Sequence, residues 1–195
     1  VRMGNIVAET LKESKEVLFT KSEETIKSIK EKESVVDKLS AGITDYAIKI
    51  TALQVSEKEH QDVAHLLQVV SDMERICDYC ENISEYAEAM RDKKLEFSEI
   101  ATEEIKQMMD VCVESYLYAK EAFFEKNSEK AVKVIEKETL ADDLEVRLRN
   151  KHIKRLANNQ CNAETGIFYL DTLVSMERIS DHARNIAEEI MNPEN

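Results

Sequence analysis

The string Asp72-Met73-Glu74-Arg75-Ile76-Cys77-Asp78, followed by Asn82-Ile83, returns as Ser175-Met176-Glu177-Arg178-Ile179-Ser180-Asp181, followed by Asn185-Ile186. Residues 72–84 and 175–187 share seven identities in thirteen at an offset of 103, about half the chain, and Leu67 and Leu170 match upstream. Self-similarity at that period means one supersecondary unit present twice, so whatever the unit carries is carried in duplicate.

What it carries is acid. Glu74 and Asp78 stand at i, i+4, as do Glu177 and Asp181, which on a helix places the two carboxylates one turn apart on one face. A second pair lies upstream in each half, Glu33 with Asp37 and Glu138 with Asp142, at an offset of 105. Like charges at this spacing cost an isolated helix about 0.2–0.5 kcal/mol per pair, so four pairs at repeat-related positions invite a compensating cation. The competing reading is a solvated acidic surface: the chain has 40 Asp and Glu residues, and unrelated pairs such as Glu81 with Glu85 and Glu121 with Glu125 also occur. What separates the four pairs from this background is their place in the duplicated unit.

The chain has only three Gly and one Pro, with 34% charged residues, which leaves almost no turn chemistry for hairpins and predicts an all-α fold. Hydrophobic periodicity and caps place helices at about 3–19, 23–54, 57–90, 99–126, 129–158 and 163–191, with Ser22, Ser56 (boxed with Glu59), Ser98, Ser128 and Asn162 as cap candidates. The six helices divide into two repeated three-helix bundles, residues 1–95 and 96–195. The inward stripe of the first helix reads Ile6, Val7, Leu11, Val17 and Leu18, and that of the second Ile29, Val36, Leu39, Ile43, Tyr46, Ile50 and Leu53. At 100° per residue Glu74, Asp78, Glu177 and Asp181 fall nearly opposite the apolar stripes of their helices, and the upstream acids fall on a flank, so all eight should face outward or into a groove.

A net charge of −13 argues against a nucleic-acid partner. The basic run Arg147–Arg155 spreads around its helix and can pair with neighbouring acids. The four cysteines show no disulfide framework, and Cys77-x-x-Cys80 reads as packing because its counterparts are Ser180 and Ala183. An open arrangement of carboxylates suits hard cations, whereas a di-iron oxidase core would require E-x-x-H inside the bundle, and His60, His65, His152 and His182 do not sit that way. No nucleophile arrangement for catalysis is present, and no apolar run is long enough to span a membrane.

Two three-helix halves, each with E-x-x-x-D on one long helix and an E-R-I-x-D-x-x-x-N-I string on the next, resemble the PhoU family over essentially the whole chain. The family's usual Gly before the Asp is replaced by Cys77 and Ser180, and the Pro and D-L-R string that often precede the first motif give way to Ser56-Glu57-Lys58-Glu59-His60. With the unusual opening Val1-Arg2-Met3-Gly4, these features resemble the PhoU-like C-terminal domain that follows the membrane part of bacterial sodium/phosphate cotransporters.

The resemblance implies a cytoplasmic, non-enzymatic regulatory domain at the inner face of the membrane, partnered by a transporter domain of the same polypeptide and open to homo-oligomerisation. It also implies multinuclear metal clusters, iron foremost, with zinc, manganese or magnesium as options, held by Glu33, Asp37, Glu74, Asp78, Glu138, Asp142, Glu177 and Asp181. Asn82 and Asn185 would assist, and Arg75 and Arg178 would orient Asp78 and Asp181 at i, i+3. The alternatives are a stand-alone phosphate-signalling regulator of PhoU type and a metal-free helical docking module.

Overall fold

Five of the six helices begin where the chain offers a side-chain acceptor for their first free amides; the first, which follows Val1, has none. In the computed structural model, which describes residues 1–53 and 56–191, there are six: α1 Arg2–Thr20, α2 Glu23–Thr51, α3 Glu57–Asp92, α4 Glu99–Glu125, α5 Ser128–Ala157 and α6 Ala163–Met191. Ser22 caps α2 through the Thr25 amide, Ser56 and Glu59 form a reciprocal capping box on α3, and Ser98 caps α4 through the Ala101 amide. At α5 the cap is Asn127, whose side-chain oxygen accepts from the Lys130 amide, and the expected cap Ser128 is the first helical residue. Asn162 accepts from the amides of Glu164 and Thr165 at the start of α6.

The duplication is visible in the backbone. α1 ends on Lys21 at φ 49° and α4 on Lys126 at φ 51°, both left-handed, and the two lysines are 105 residues apart, as are Glu33 and Glu138. Helices α1, α2 and α3 pack on one another, α4, α5 and α6 do the same, and the halves join through α3 on α6 and α1 on α4. Among the described residues α2 and α5 touch only their own bundle.

The core runs through both halves. Leu11, Leu18, Ile29, Ile76 and Ile83 in the first meet Ile105, Met108, Leu144, Leu173 and Ile179 in the second, all 0 or 1% exposed. Each such side chain contributes about 1.5–3 kcal/mol of burial. At the α1–α4 contact the Tyr116 hydroxyl donates to the Gly4 carbonyl at 3.0 Å, and a Cβ on Gly4 would stand 3.0 Å from the Phe124 ring.

The apolar stripe of α2 is buried over only part of its length. Ile29 and Val36 are buried and Leu39 and Ile43 are half-covered, but Tyr46 and Leu53 are 67% and 66% exposed, against expectation. The reason is helix length: α1 has 19 residues against 29 in α2, or about 28 Å against about 43 Å. Lys32 of α2 reaches Glu9 and Glu13 of α1, so α1 covers α2 only to about residue 40 at that rise. The end of the second helix expected at residue 54 lies outside the described residues; the helix itself closes at Thr51.

The α3–α6 seam has an approximate twofold character that follows from the 103-residue offset. Tyr86 faces Phe168 at 6.4 Å between ring centroids, and the equivalent place at the other end holds His65 against Glu189. At the middle, Tyr79 and its counterpart His182 lie 5.9 Å apart. Beside them Asp72, only 2% exposed, accepts from Asn185 at 3.0 Å and lies 2.8 Å from His182 Nδ1.

Candidate metal centre

Two trios of carboxylates come together, one in each half. Glu33 and Asp37 of α2 meet Asp78 of α3, and Glu138 and Asp142 of α5 meet Asp181 of α6, with one oxygen from each residue within 4.8 Å of the others in its trio. The i, i+4 spacing supplies two members of each trio and the helix pairing supplies the third. In both, the trio sits between a seam helix and an outer helix.

Glu74 and Glu177 stand beside these trios rather than in them. Glu74 accepts a hydrogen bond from the Ser40 hydroxyl at 2.5 Å. Glu177 is half-buried, and its carboxyl is pushed above the usual range by burial and by the charges of Asp181, Asp142 and Glu145. Of the two placements expected for the acids of α3 and α6, outward or into a groove, they take the groove. Glu74, Asp78, Glu177 and Asp181 are all half-buried, because α3 packs against three helices and α6 against three, leaving neither with a free face opposite its stripe. Glu138 is 5% exposed, well inside the groove, whereas Asp37 and Asp142 remain open to solvent.

Crowding shows in the acidities. The Glu33 carboxyl is raised to about 7, chiefly by burial, then by the hydrogen bond and charge of Asp37 and the charges of Glu81 and Asp78. Burial, then Glu74 and Asp37, raise Asp78 against the opposing pull of Arg75; burial, then Glu138 and Asp181, raise Asp142. Arg75 and Arg178 donate to Asp78 at 3.4 Å and Asp181 at 3.2 Å, at the i, i+3 spacing read from the sequence. Asn185 does not join the trio and is committed to Asp72 across the seam.

The donor set fits a hard cation. Opposed oxygens around one magnesium, manganese or calcium ion stand about 4–5 Å apart, the oxygens of each trio lie within 4.8 Å of one another, and no thiol or imidazole belongs to either trio. Among the cysteines, Cys77, Cys80 and Cys112 are buried free thiols, and burial pushes the Cys77 thiol up to about 12, so it stays protonated and apolar in character.

Three features escaped the sequence reading. Arg184 donates to buried Glu138 at 2.8 Å. Asp72 is buried at the seam. Glu104 of α4 accepts two bonds from Arg155, at 3.1 and 2.7 Å, and one from the Tyr169 hydroxyl at 2.7 Å, while His152 stacks on Tyr169 at 4.6 Å. Arg155 and Lys151 thus account for part of the basic run, as does Arg149 on Glu145. Only the 103-residue alignment offered a signal, by setting Arg184 opposite Glu81.

Residues 1–87 and 105–190 match the PhoU domain. The phosphate-specific transport system accessory protein PhoU homolog 1 of Thermotoga maritima is 26% identical over 97% of this chain and 82% of its own length. A PhoU homolog of the same description from Clostridium acetobutylicum is 21% identical over 96% and 85%. The crystal structure of PhoU from Pseudomonas aeruginosa superposes with a TM-score of 0.91 at 19% identity, covering 98% of this chain and 91% of that one. The phosphate transport system regulatory protein PhoU of Streptococcus pneumoniae gives 0.86 at 22% identity, over 99% and 90%. Since the two matched segments take up most of the sequence and fall one in each of its halves, the chain belongs to the PhoU family.

Proposed function

We propose that this protein is a non-enzymatic regulator of phosphate uptake that works as an accessory to a membrane phosphate transport system and binds hard metal ions through its two carboxylate trios. The observation that carries the metal reading is the recurrence of the trio at repeat-related positions, Glu33, Asp37 and Asp78 in one half and Glu138, Asp142 and Asp181 in the other. Glu74 and Glu177, one turn before the Asp of each trio, would extend each group toward a second ion, with iron the first candidate and manganese, magnesium or zinc behind it. The ions would supply positive charge that lets crowded, half-buried carboxylates ionise together, closing each outer helix on its seam helix.

Relatives bearing accessory-protein names align over nearly the whole chain, which supports a PhoU-type accessory regulator over the sodium/phosphate cotransporter domain expected from the opening residues. None of the described helices is long and apolar enough to cross a membrane, so contact with a transporter at the cytoplasmic face would run through this helical body.

Elemental analysis of the purified chain, with thermal melts before and after chelation, tests the metal reading. Stoichiometric metal and a melting temperature that falls on chelation are expected, and the double variant Asp78→Asn, Asp181→Asn should lose the metal. Unchanged metal content in that variant would refute the assignment. No metal, and no change after reconstitution with iron, manganese, zinc and magnesium, would leave a metal-free docking module.

A further inference from the structure

The two trios differ most at one position that touches a trio member directly. Glu81 and Arg184 are equivalent under the 103-residue offset, so the same place beside the first trio carries a carboxylate and beside the second a guanidinium. Arg184 Nη1 donates to Glu138 at 2.8 Å and its Nε to Glu188 at 2.8 Å. A second exchange runs the other way, Lys38 beside Asp37 against Asp143 beside Asp142, but both of these side chains are exposed to water, whereas Arg184 bonds a trio member directly. Arg75 and Arg178 serve Asp78 and Asp181 alike. Glu145, which replaces Ser40 in the second half, brings its own partner, Arg149. Lys30, on the same helix as Glu33 and Asp37, is paired to Glu88 at 2.7 Å.

We infer that Arg184 is a built-in counter-cation of the second trio, so that the two sites load in a fixed order, the first trio before the second. The inference rests on the metal reading proposed above. Glu138 is too buried to stand unpaired, and without an external ion Arg184 satisfies it. A metal entering the second site must first take Glu138 from Arg184, whose side chain is 43% exposed and keeps its bond to Glu188 as it swings out. At the first trio an arriving ion displaces no such partner and gains the attraction of Glu81 as well. The charge-assisted bond that must be broken at Glu138, which has no equivalent in the first trio, separates the affinities by at least about tenfold.

Manganese(II) titration of the full chain by isothermal calorimetry should show two phases, with Asp142→Asn deleting the weaker. Arg184→Gln should move the weaker phase toward the tighter by about tenfold or more, and Arg184→Lys, which keeps the charge, should leave the order in place. Glu81→Arg, in the other half, should weaken the tight phase by a similar factor, and it decides the matter if circular dichroism shows Arg184→Gln unfolded. Two phases that neither Arg184→Gln nor Glu81→Arg moves would overturn the fixed order while leaving metal binding intact. No binding by wild type and variants alike would instead remove the metal reading, and the loading order with it.

Discussion

At the scale of single residues, Glu33 is where crowding has its clearest thermodynamic consequence. Its carboxyl is raised from 4.5 to about 7, so between those values the folded chain holds a proton that the unfolded chain has released. The stability this contributes is whole below about pH 4.5 and is lost as pH rises through about 7. In the metal-free protein Glu33→Gln should therefore raise the melting temperature at about pH 8 by about 2–4 °C and leave it unchanged near pH 4.5; calorimetry in chelator at both values checks it. An equal shift at both pH values would assign the effect to packing. Glu33, Asp37 and Asp78 could be picked from the sequence because the repeat marks them. That Glu74 turns to Ser40 was hidden, since it depends on what the facing helix presents at that height. Arg184 opposite Glu81 was in plain view, but its meaning required knowing that α6 passes close to Glu138.

At the scale of elements, helix number, order and starts followed from caps and periodicity, while lateral packing did not. The α5–α6 contact shows why. A Cβ on Gly166 would lie 2.6 Å from His152 Nε2, so α6 approaches α5 closely only because that position is glycine. The close approach lets His152 stack on Tyr169, whose hydroxyl reaches Glu104, and so holds α4, α5 and α6 together. Gly166→Ala should push the ring out and destabilise the chain by about 1–3 kcal/mol, despite the higher helix propensity of alanine, as urea denaturation would show. A neutral or stabilising result would mean the ring turns aside freely. Nothing in the local sequence distinguishes this glycine from Gly42, which has open space around it. The exposed end of α2 has the same lesson, for Tyr46 and Leu53 continue a stripe that no longer has a helix to lie against.

For the whole molecule, the duplicated pattern was enough to read two bundles, but not how they join, because Asp72, Tyr79 and His182 acquire their roles only when α3 lies along α6. That arrangement makes α3 and α6 a common spine, with α2 and α5 held to it from one side only. Amide hydrogen exchange should accordingly be slowest in the middle of α3 and α6 and fastest in α2 beyond about residue 43, where Tyr46 and Ile48 are exposed. Uniform exchange across all six helices would contradict this picture. An ion in either trio would bridge spine and outer helix, so adding metal should slow exchange in α2 or α5 selectively and leave the spine almost as it was. Each outer helix then behaves as a latch with its own clasp, and the breathing of one side of the molecule can be stilled while the other still opens.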